Sequence, residues 1–234
     1  LLTFTATNWN APQVVTVTGV DDAAQDGNKP YTIVLGTTSS TDTGYAGVDP
    51  TDVEVTNTDN DTAGITVTPL QNLTTTEGGQ TATFTIVLNT PPSANVTIAL
   101  TSSDETEGTV EPATVTFTPS NWSSPQTITV TGVDDALIDG AQTYSIVTAA
   151  AVSADPFYDG LNASDVTLSN TDNDSAGFTV TPETGLITTE AGGTATFTVA
   201  LNSQPKANVT IPVASSNTAE GTVSAASLTF TPDN

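Results

Sequence analysis

The chain repeats its own sequence at a fixed spacing of 113 residues. Trp9 recurs as Trp122, and the run Thr-Val-Thr-Gly-Val-Asp-Asp at 16–22 recurs at 129–135. Sliding the chain by this spacing aligns 121 pairs without a gap, and 67 of those pairs are identical. A chance match in a Thr-rich chain does not keep one spacing over so long a stretch. The chain is therefore built from copies of one structural unit.

The unit boundaries follow from the motif that closes each copy. Asn-Thr-Asp-Asn-Asp occurs at 57–61 and again at 170–174. We therefore expect a complete repeat at 62–174, the C-terminal half of a preceding repeat at 1–61 and the N-terminal half of a following repeat at 175–234. Neither half is expected to fold alone, because each would expose an open sheet edge and half of a core. Either the array continues beyond both ends or neighbouring copies complement the halves.

Each repeat shows the residue alternation that is typical of half-buried β-strands. Thr and Val dominate the alternating segments, and Gly, Pro, Asn and Asp fill the gaps between them. In the complete repeat the segments lie at roughly 64–69, 80–89, 95–101, 114–118, 126–132, 143–149 and 164–170. Seven short strands predict an all-β fold, with tandem Ig-like, seven-stranded antiparallel β-sandwich domains joined in Greek-key order.

Two aromatic positions recur in every copy that contains them. Trp9 and Trp122 lie between strands, and Tyr31 and Tyr144 open the sixth strand. We expect the Trp to close one end of the core and the Tyr to act like the tyrosine corner of Ig domains. The alternative is that the Trp stacks on a sugar.

The composition excludes several kinds of function. The chain has 26 acidic residues, two basic residues and no His, Cys or Met. A nucleophilic triad would lack its imidazole base, and a zinc or copper site would lack its usual ligands. A net charge of −24 would repel nucleic acid. We therefore predict neither an enzyme nor a nucleic-acid-binding protein, and no segment is apolar enough to span a membrane.

The carboxylates of the complete repeat concentrate in turns. Strands one, three, five and seven end at the same pole of a sandwich, so the acidic loops that follow them are expected to converge there. The converging candidates are Glu77, Glu107, Asp134, Asp135, Asp139, Asp172 and Asp174. No Lys or Arg of the repeat can neutralise them, so a hard divalent cation would, calcium before magnesium. The alternative is that these acids are solvated turn formers.

The repeat resembles the Calx-β domain, which occurs in sodium/calcium exchangers and in long bacterial surface proteins. The motifs that carry the resemblance are Thr76-Glu77-Gly78-Gly79, Glu107-Gly108-Thr109-Val110, Val133-Asp134-Asp135-x-x-x-Asp139-Gly140 and Asp172-Asn173-Asp174. The resemblance implies a seven-stranded sandwich that binds calcium in acidic loops at its C-terminal pole, with the same seven acids as ligands. Exchanger-type domains carry further acids at positions where this chain has uncharged residues, which implies one or two ions, bound weakly. These positions are Ala136, Leu137, Ile138, Ala141 and Gln142.

The resemblance extends to both half repeats. It implies calcium ligands at matching positions of the preceding repeat, Asp21, Asp22, Asp26, Asp59 and Asp61, and of the following repeat, Glu190 and Glu220. Because the loops lie where one repeat meets the next, bound calcium would lock the junction, as it does in cadherin-like arrays.

Three functions compete on this evidence. Near-identity of the repeats favours a structural array, an extracellular or cell-surface stalk, fibre or filament of a bacterium, because a stacked array needs the same interface at every junction. Its partners would be neighbouring repeats of the same chain or identical chains. The second hypothesis is an adhesive module that binds glycans or a partner cell surface. The third is an enzyme accessory domain or an enzyme that uses paired carboxylates.

Overall fold

The computed structural model describes all 234 residues of the chain, and its regular structure consists of β-strands. The strands are β1 (Lys29–Ile33), β2 (Val53–Asn57), β3 (Ile65–Thr68), β4 (Leu73–Thr76), β5 (Thr81–Leu88), β6 (Val96–Ser102), β7 (Gly108–Glu111), β8 (Thr114–Phe117), β9 (Gln126–Gly132), β10 (Gln142–Thr148), β11 (Val152–Ser153), β12 (Val166–Thr171), β13 (Phe178–Thr181), β14 (Thr198–Leu201), β15 (Val209–Pro212) and β16 (Ser227–Phe230). No helix is long and apolar enough to cross a membrane.

Strands β3 to β12 form two sheets whose buried faces share one core. The first sheet has the order β3-β5-β9-β7, and the second has the order β11-β6-β10-β12-β4 with β8 paired to β6. The chain passes between the sheets from β5 to β6 and from β9 to β10, whereas β10, β11 and β12 all lie in the second sheet. This arrangement is the Greek-key sandwich that the strand pattern predicts.

Alternate residues of the central strands supply the core. Phe84 and Ile86 of β5 and Ile128 of β9 are at most 1% exposed, because every second side chain of a strand points to the same face. Trp122 packs against this cluster from its edge, and the buried Tyr144 donates or accepts a hydrogen bond at 3.0 Å with the Thr75 hydroxyl. Trp122 thus contributes to the core, as the sequence predicts. Tyr144 is buried, but its hydroxyl bonds a side chain of β4, whereas a tyrosine corner bonds the backbone a few residues upstream.

The structure adds three short strands to the seven predicted ones. These are β4, β7 and β11, whose sequences show too little alternation to be recognised. The chain crosses between the sheets after the first predicted strand: β3 pairs with β5 in one sheet, and β4 pairs with β12 in the other. Since β4 runs parallel to β12, the sandwich is not wholly antiparallel.

The flanking segments form paired strands but no core. All 29 buried residues of the chain lie between Val67 and Asn170. The strand pairs of the flanks nevertheless keep the register of the central sandwich. Lys29 lies opposite Asn57 in β1 and β2 just as Gln142 lies opposite Asn170 in β10 and β12. The pairs β13·β14 and β15·β16 likewise repeat β3·β5 and β6·β8.

One segment shows that sequence alone does not make a strand here. Residues 13–19 match most of β9, yet they form no strand in the structure. Strand β9 is held by β5 on one side and by β7 on the other, and residues 1–61 contain no counterpart of either. A strand of this fold therefore forms only where its partner belongs to the same folded unit.

The repeat offers a matched pair of substitutions that measures this difference. Phe84→Ala removes a side chain that is 1% exposed, and the free energy of unfolding should fall by about 3–5 kcal/mol. Phe197→Ala changes the corresponding residue, which is 46% exposed, and should leave the unfolding midpoint unchanged in dilute solution. Thermal unfolding followed by circular dichroism measures both. Equal losses in the two variants would show that residues 175–234 share a core within the single chain.

Candidate metal centre

The acids of the central sandwich form two adjacent groups at one pole. In each group, one carboxylate oxygen per residue lies within 4.8 Å of the others. The two groups are Glu77 with Asp172 and Asp174, and Glu107 with Asp135 and Asp139. Strands β4 and β12 end in parallel at this pole, and β9 arrives there beside the start of β7. The strand directions therefore bring together residues that are far apart in sequence.

Asp172 organises the loops of this pole through backbone hydrogen bonds. Its Oδ2 accepts from the N–H groups of Asp139 at 3.1 Å and Gly140 at 2.8 Å, and its Oδ1 accepts from Asp174 N–H at 2.7 Å. The N–H groups of Gly140 and Asp174 lower the pKa of Asp172. Asp172 therefore stays ionised and ties the loop after β9 to the end of β12.

Glu77 and Glu107 are buried carboxylates, with only 5% and 8% of their surface exposed. Burial raises the pKa of both side chains, and the neighbouring aspartates raise it further. Each keeps one hydrogen bond that opposes this effect. Glu77 Oε2 accepts from Asn173 N–H at 2.9 Å, and Glu107 Oε2 accepts from the Asn170 amide at 3.3 Å. A buried carboxylate without a cation is unfavourable, so this pole favours a positive partner.

Two carboxylate oxygens at this pole are buried without any hydrogen bond. They are Oδ1 of Asp139 and Oδ2 of Asp174, one from each acidic group. Burial raises the pKa of Asp174, and the charges of Asp172 and Asp134 add to the rise. Unsatisfied, closely spaced carboxylate oxygens fit a hard cation such as calcium, which binds 6–8 oxygen ligands in flexible geometry.

The seventh predicted residue, Asp134, lies at the same pole but outside both groups. Its Oδ1 accepts a hydrogen bond from the Asn173 side-chain amide at 3.0 Å. The structure thus brings six of the seven predicted acids of this repeat into two groups, with Asp134 beside them.

The preceding segment repeats the same loop geometry. Asp59 Oδ2 accepts from the N–H groups of Asp26 at 2.9 Å and Gly27 at 2.6 Å, as Asp172 does from Asp139 and Gly140. Five aspartates of this segment line one open cleft, and they are Asp21, Asp22, Asp26, Asp59 and Asp61. Lys29 differs from its counterpart Gln142, because its Nζ lies 3.4 Å from Asp26 Oδ2 and already supplies one positive charge.

Glu190 and Glu220 of the following segment lie exposed and belong to neither acidic group. Their counterparts Glu77 and Glu107 meet aspartates that follow β9 and β12. Residues 175–234 contain no counterpart of those two strands, so the structure does not bring these two glutamates to a carboxylate partner.

Two residues that shape the site carry no charge and were not singled out from the sequence. Asn170 is 1% exposed, accepts a hydrogen bond from the Thr75 hydroxyl and donates to the Val133 carbonyl at 3.0 Å. At Gly132, a Cβ would lie within 3.0 Å of both the Thr76 carbonyl and Asn170 Oδ1. Their recurrence in the sequence could have identified them, because Gly19 and Asn57 occupy the same positions one repeat earlier.

The raised pKa values predict how the metal-free chain responds to acid. Glu77, Glu107 and Asp174 bind protons more readily in the folded chain than in the unfolded one. The free energy of unfolding should therefore rise as the pH falls from neutral toward the ordinary carboxyl pKa of about 4. At still lower pH it should fall again, because the lowered pKa of Asp172 acts in the opposite direction.

Urea denaturation in a chelator at a series of pH values measures this dependence. Asp174→Asn should reduce the gain between neutral pH and pH 5. A stability that only declines with acidification would contradict the raised pKa values.

Comparisons with known proteins give only remote likenesses. No protein-family model matches the chain, and no curated protein matches it significantly. Among solved structures, the apo form of the Calx CBD1 domain is 15% identical, with a TM-score of 0.38, and the match covers 49% of this chain and 100% of that one. CBD12 from CALX1.2 is 16% identical, with a TM-score of 0.37 and coverage of 71% and 70%. Domains 1–6 of the surface layer protein SbsC are 15% identical, with a TM-score of 0.30 and coverage of 69% and 20%.

Proposed function

We propose that this chain is part of a secreted or cell-surface structural array, a stalk or fibre of tandem β-sandwich repeats whose junctions bind calcium. Residues 62–174 would be one complete unit of that array, residues 1–61 the C-terminal half of the preceding unit, and residues 175–234 the N-terminal half of the following unit. The chain would act by spacing and stiffness, without catalysis. The resemblance to Calx-β domains, carried by the acidic motifs, supports the same proposal.

The observation that carries the proposal is the pair of acidic groups at one pole. Asp139 and Asp174 each hold a buried oxygen without a hydrogen bond, and burial raises the pKa of Glu77, Glu107 and Asp174. The complete repeat contains no Lys or Arg that could pair with them. Glu77, Asp172 and Asp174 would hold one ion, and Glu107, Asp135 and Asp139 would hold or support a second. The ion would supply positive charge to carboxylates that no lysine pairs with directly, although the charge of Lys206 from the following segment acts on Asp172.

Recurrence of the site favours a structural role over a binding tip. The hydrogen bonds that Asp59 accepts reproduce those that Asp172 accepts 113 residues later. The same loop geometry therefore occurs in both copies of this part of the repeat. An array uses the same interface at each junction, whereas recognition of a distant partner needs the site only once.

The acidic loop also contacts the following repeat. Gln204 N–H donates to the Ala136 carbonyl at 2.7 Å, and Leu137 bridges to Gln204 in parallel. At the preceding junction, the Gln25 side chain accepts from Ala63 N–H. Gln25 lies in the loop that matches 134–139. A cation held by Asp135 and Asp139 would therefore fix the loop that joins two repeats.

Calcium should stabilise the folded chain. At a concentration about 100-fold above the dissociation constant, binding adds about 2.7 kcal/mol to the free energy of unfolding. Thermal unfolding with calcium and with chelator measures the resulting rise in midpoint. Asp174→Asn should raise the midpoint in chelator, because it relieves repulsion, and should also reduce the rise that calcium produces.

Glu105→Gln is the matched control for that experiment. Glu105 is exposed, lies in the same acidic repeat and belongs to neither group. Its substitution should leave the calcium-dependent rise intact. If calcium does not move the midpoint of the unsubstituted chain, or if Glu105→Gln matches Asp174→Asn, the metal site is refuted.

Calcium should also stiffen the junction between 62–174 and 175–234. Small-angle scattering of the chain at low concentration should give a longer and narrower distance distribution with calcium than with chelator. Asp135→Asn should remove that difference. The distance distributions could be equal with calcium and with chelator although calcium raises the unfolding midpoint. That result would support the metal site but contradict the stiffening of the junction.

A further inference from the structure

Lys29 and Lys206 are the only basic residues of the chain, and they occupy different positions of the repeat. One repeat after Lys29 the chain has Gln142, and one repeat before Lys206 it has Ser93. Neither lysine recurs, so each marks a position at which the chain departs from its own repeated sequence.

The charges of the two lysines nevertheless act on equivalent carboxylates, those of Asp59 and Asp172, which are 113 residues apart. Backbone N–H groups lower the pKa of both aspartates most, and the charge of Lys29 or Lys206 lowers it further. Lys29 Nζ lies 3.4 Å from Asp26 Oδ2, and the Asp26 N–H donates to Asp59 Oδ2. The same part of the acidic pole thus receives a positive charge in two repeats, from two different positions in the sequence.

Lys206 belongs to the following segment and reaches the acidic pole of the central sandwich across the junction. Two residues before it, Gln204 N–H donates to the Ala136 carbonyl at 2.7 Å, and Leu137 bridges to Gln204. Ala136 comes directly after Asp135, a member of one acidic group. Two residues of extended chain span at most about 7 Å, so the backbone contact keeps Lys206 beside this loop.

The loop that carries Lys206 is fixed to its own repeat. Gln204 Nε2 donates to the Pro232 carbonyl at 2.7 Å, just after β16, and Pro205 restricts the backbone between Gln204 and Lys206. The exposed Lys206 ammonium lies more than 4.0 Å from every carboxylate, so its attraction for Asp172 acts through space. The position of this charge therefore follows the orientation of the following repeat.

The preceding junction cannot form the same contact. Pro91 takes the place of Gln204 and has no N–H to donate, and Ser93 takes the place of Lys206 and has no charge. There, Lys29 supplies the positive charge from the same segment as the aspartates. A charge that crosses from one repeat to the next is therefore specific to the junction between the central sandwich and the following segment.

We propose that Lys206 is a counter-ion that the following repeat supplies to the acidic pole of the central sandwich, and that it restricts the angle between the two repeats when no divalent cation is bound. Lys206 and a cation would neutralise the same carboxylates, so each weakens the binding of the other. Lys206 would then set the calcium concentration at which the pole is filled. Only this effect on calcium rests on the proposed function. Calcium carries two charges and Lys206 one, so calcium still stiffens the junction further.

Energy transfer between two dyes measures the junction without calcium. The chain has no cysteine, so Thr116→Cys and Thr229→Cys introduce unique labelling sites at equivalent exposed positions of the two repeats. In a chelator at low ionic strength, Lys206→Gln should broaden the distribution of dye distances in single molecules. In about 1 M salt the unsubstituted chain should become equally broad, because the Debye length falls to about 3 Å.

Two further variants are the controls for that measurement. Lys29→Gln changes the net charge of the chain by the same amount but at the preceding pole, and it should leave the distance distribution unchanged. Lys206→Arg keeps the charge and should keep the distribution narrow. The proposal is overturned if Lys206→Gln is no broader than Lys29→Gln, or if Lys206→Arg is as broad as Lys206→Gln.

The unfolding midpoint measures the effect of Lys206 on calcium. This midpoint reports the central pole, because all buried residues lie between Val67 and Asn170. At low ionic strength, Lys206→Gln should reduce the calcium concentration that gives half of the rise in midpoint by roughly two- to fivefold, whereas Lys29→Gln should leave it unchanged.

The two measurements separate failure of the metal site from failure of the counter-ion. If calcium raises the midpoint at the same concentration with and without Lys206, the metal site stands and the opposition between Lys206 and calcium is refuted. If calcium does not move the midpoint at all, the metal site is refuted. In that case the distance distributions in chelator alone decide whether Lys206 restricts the junction.

Discussion

The pairing of β5 with β9 is the interaction on which the rest of this structure depends. It joins the outer strands β3 and β7 into one sheet, and it places Phe84 directly opposite Ile128 on the buried face of that sheet. It also directs β9 toward the pole where Asp135 and Asp139, in the loop after β9, lie beside Glu107. Where the partner is absent, as for residues 13–19, the same sequence pattern yields neither strand nor core. Local propensity is therefore necessary but not sufficient in this chain.

At the acidic pole, the fold holds several like charges close together without a cation. Backbone N–H groups fix Asp172, Asn170 fixes Glu107, and the N–H of Asn173 fixes Glu77. These hydrogen bonds position the carboxylates but do not neutralise them, so the repulsion remains in the metal-free chain. Neutral hydrogen-bond donors therefore set most of the geometry of these carboxylates.

Much of the sandwich could be predicted from the sequence, since the seven predicted strands carry a clear alternation and several of the acids follow them in turns. The short strands β4, β7 and β11 could not, because their pairing depends on neighbours that approach only in the folded state. The role of Asn170 in the acidic pole could not be predicted for a related reason. An uncharged side chain shows its role only through its partners, and those lie in three other segments of the chain.

The similarity of residues 13–19 to β9 has a consequence for folding. The N-terminal segment is synthesised before β5, so a newly made chain offers β5 two partners of nearly the same sequence and only one of the right connectivity. Pairing with the earlier segment would bury Val15 and Val17 in place of Ile128 and Val130, and it would have to be undone before β9 could enter the sheet. Tandem repeats of such similar sequence are therefore expected to fold more slowly than unrelated neighbouring domains.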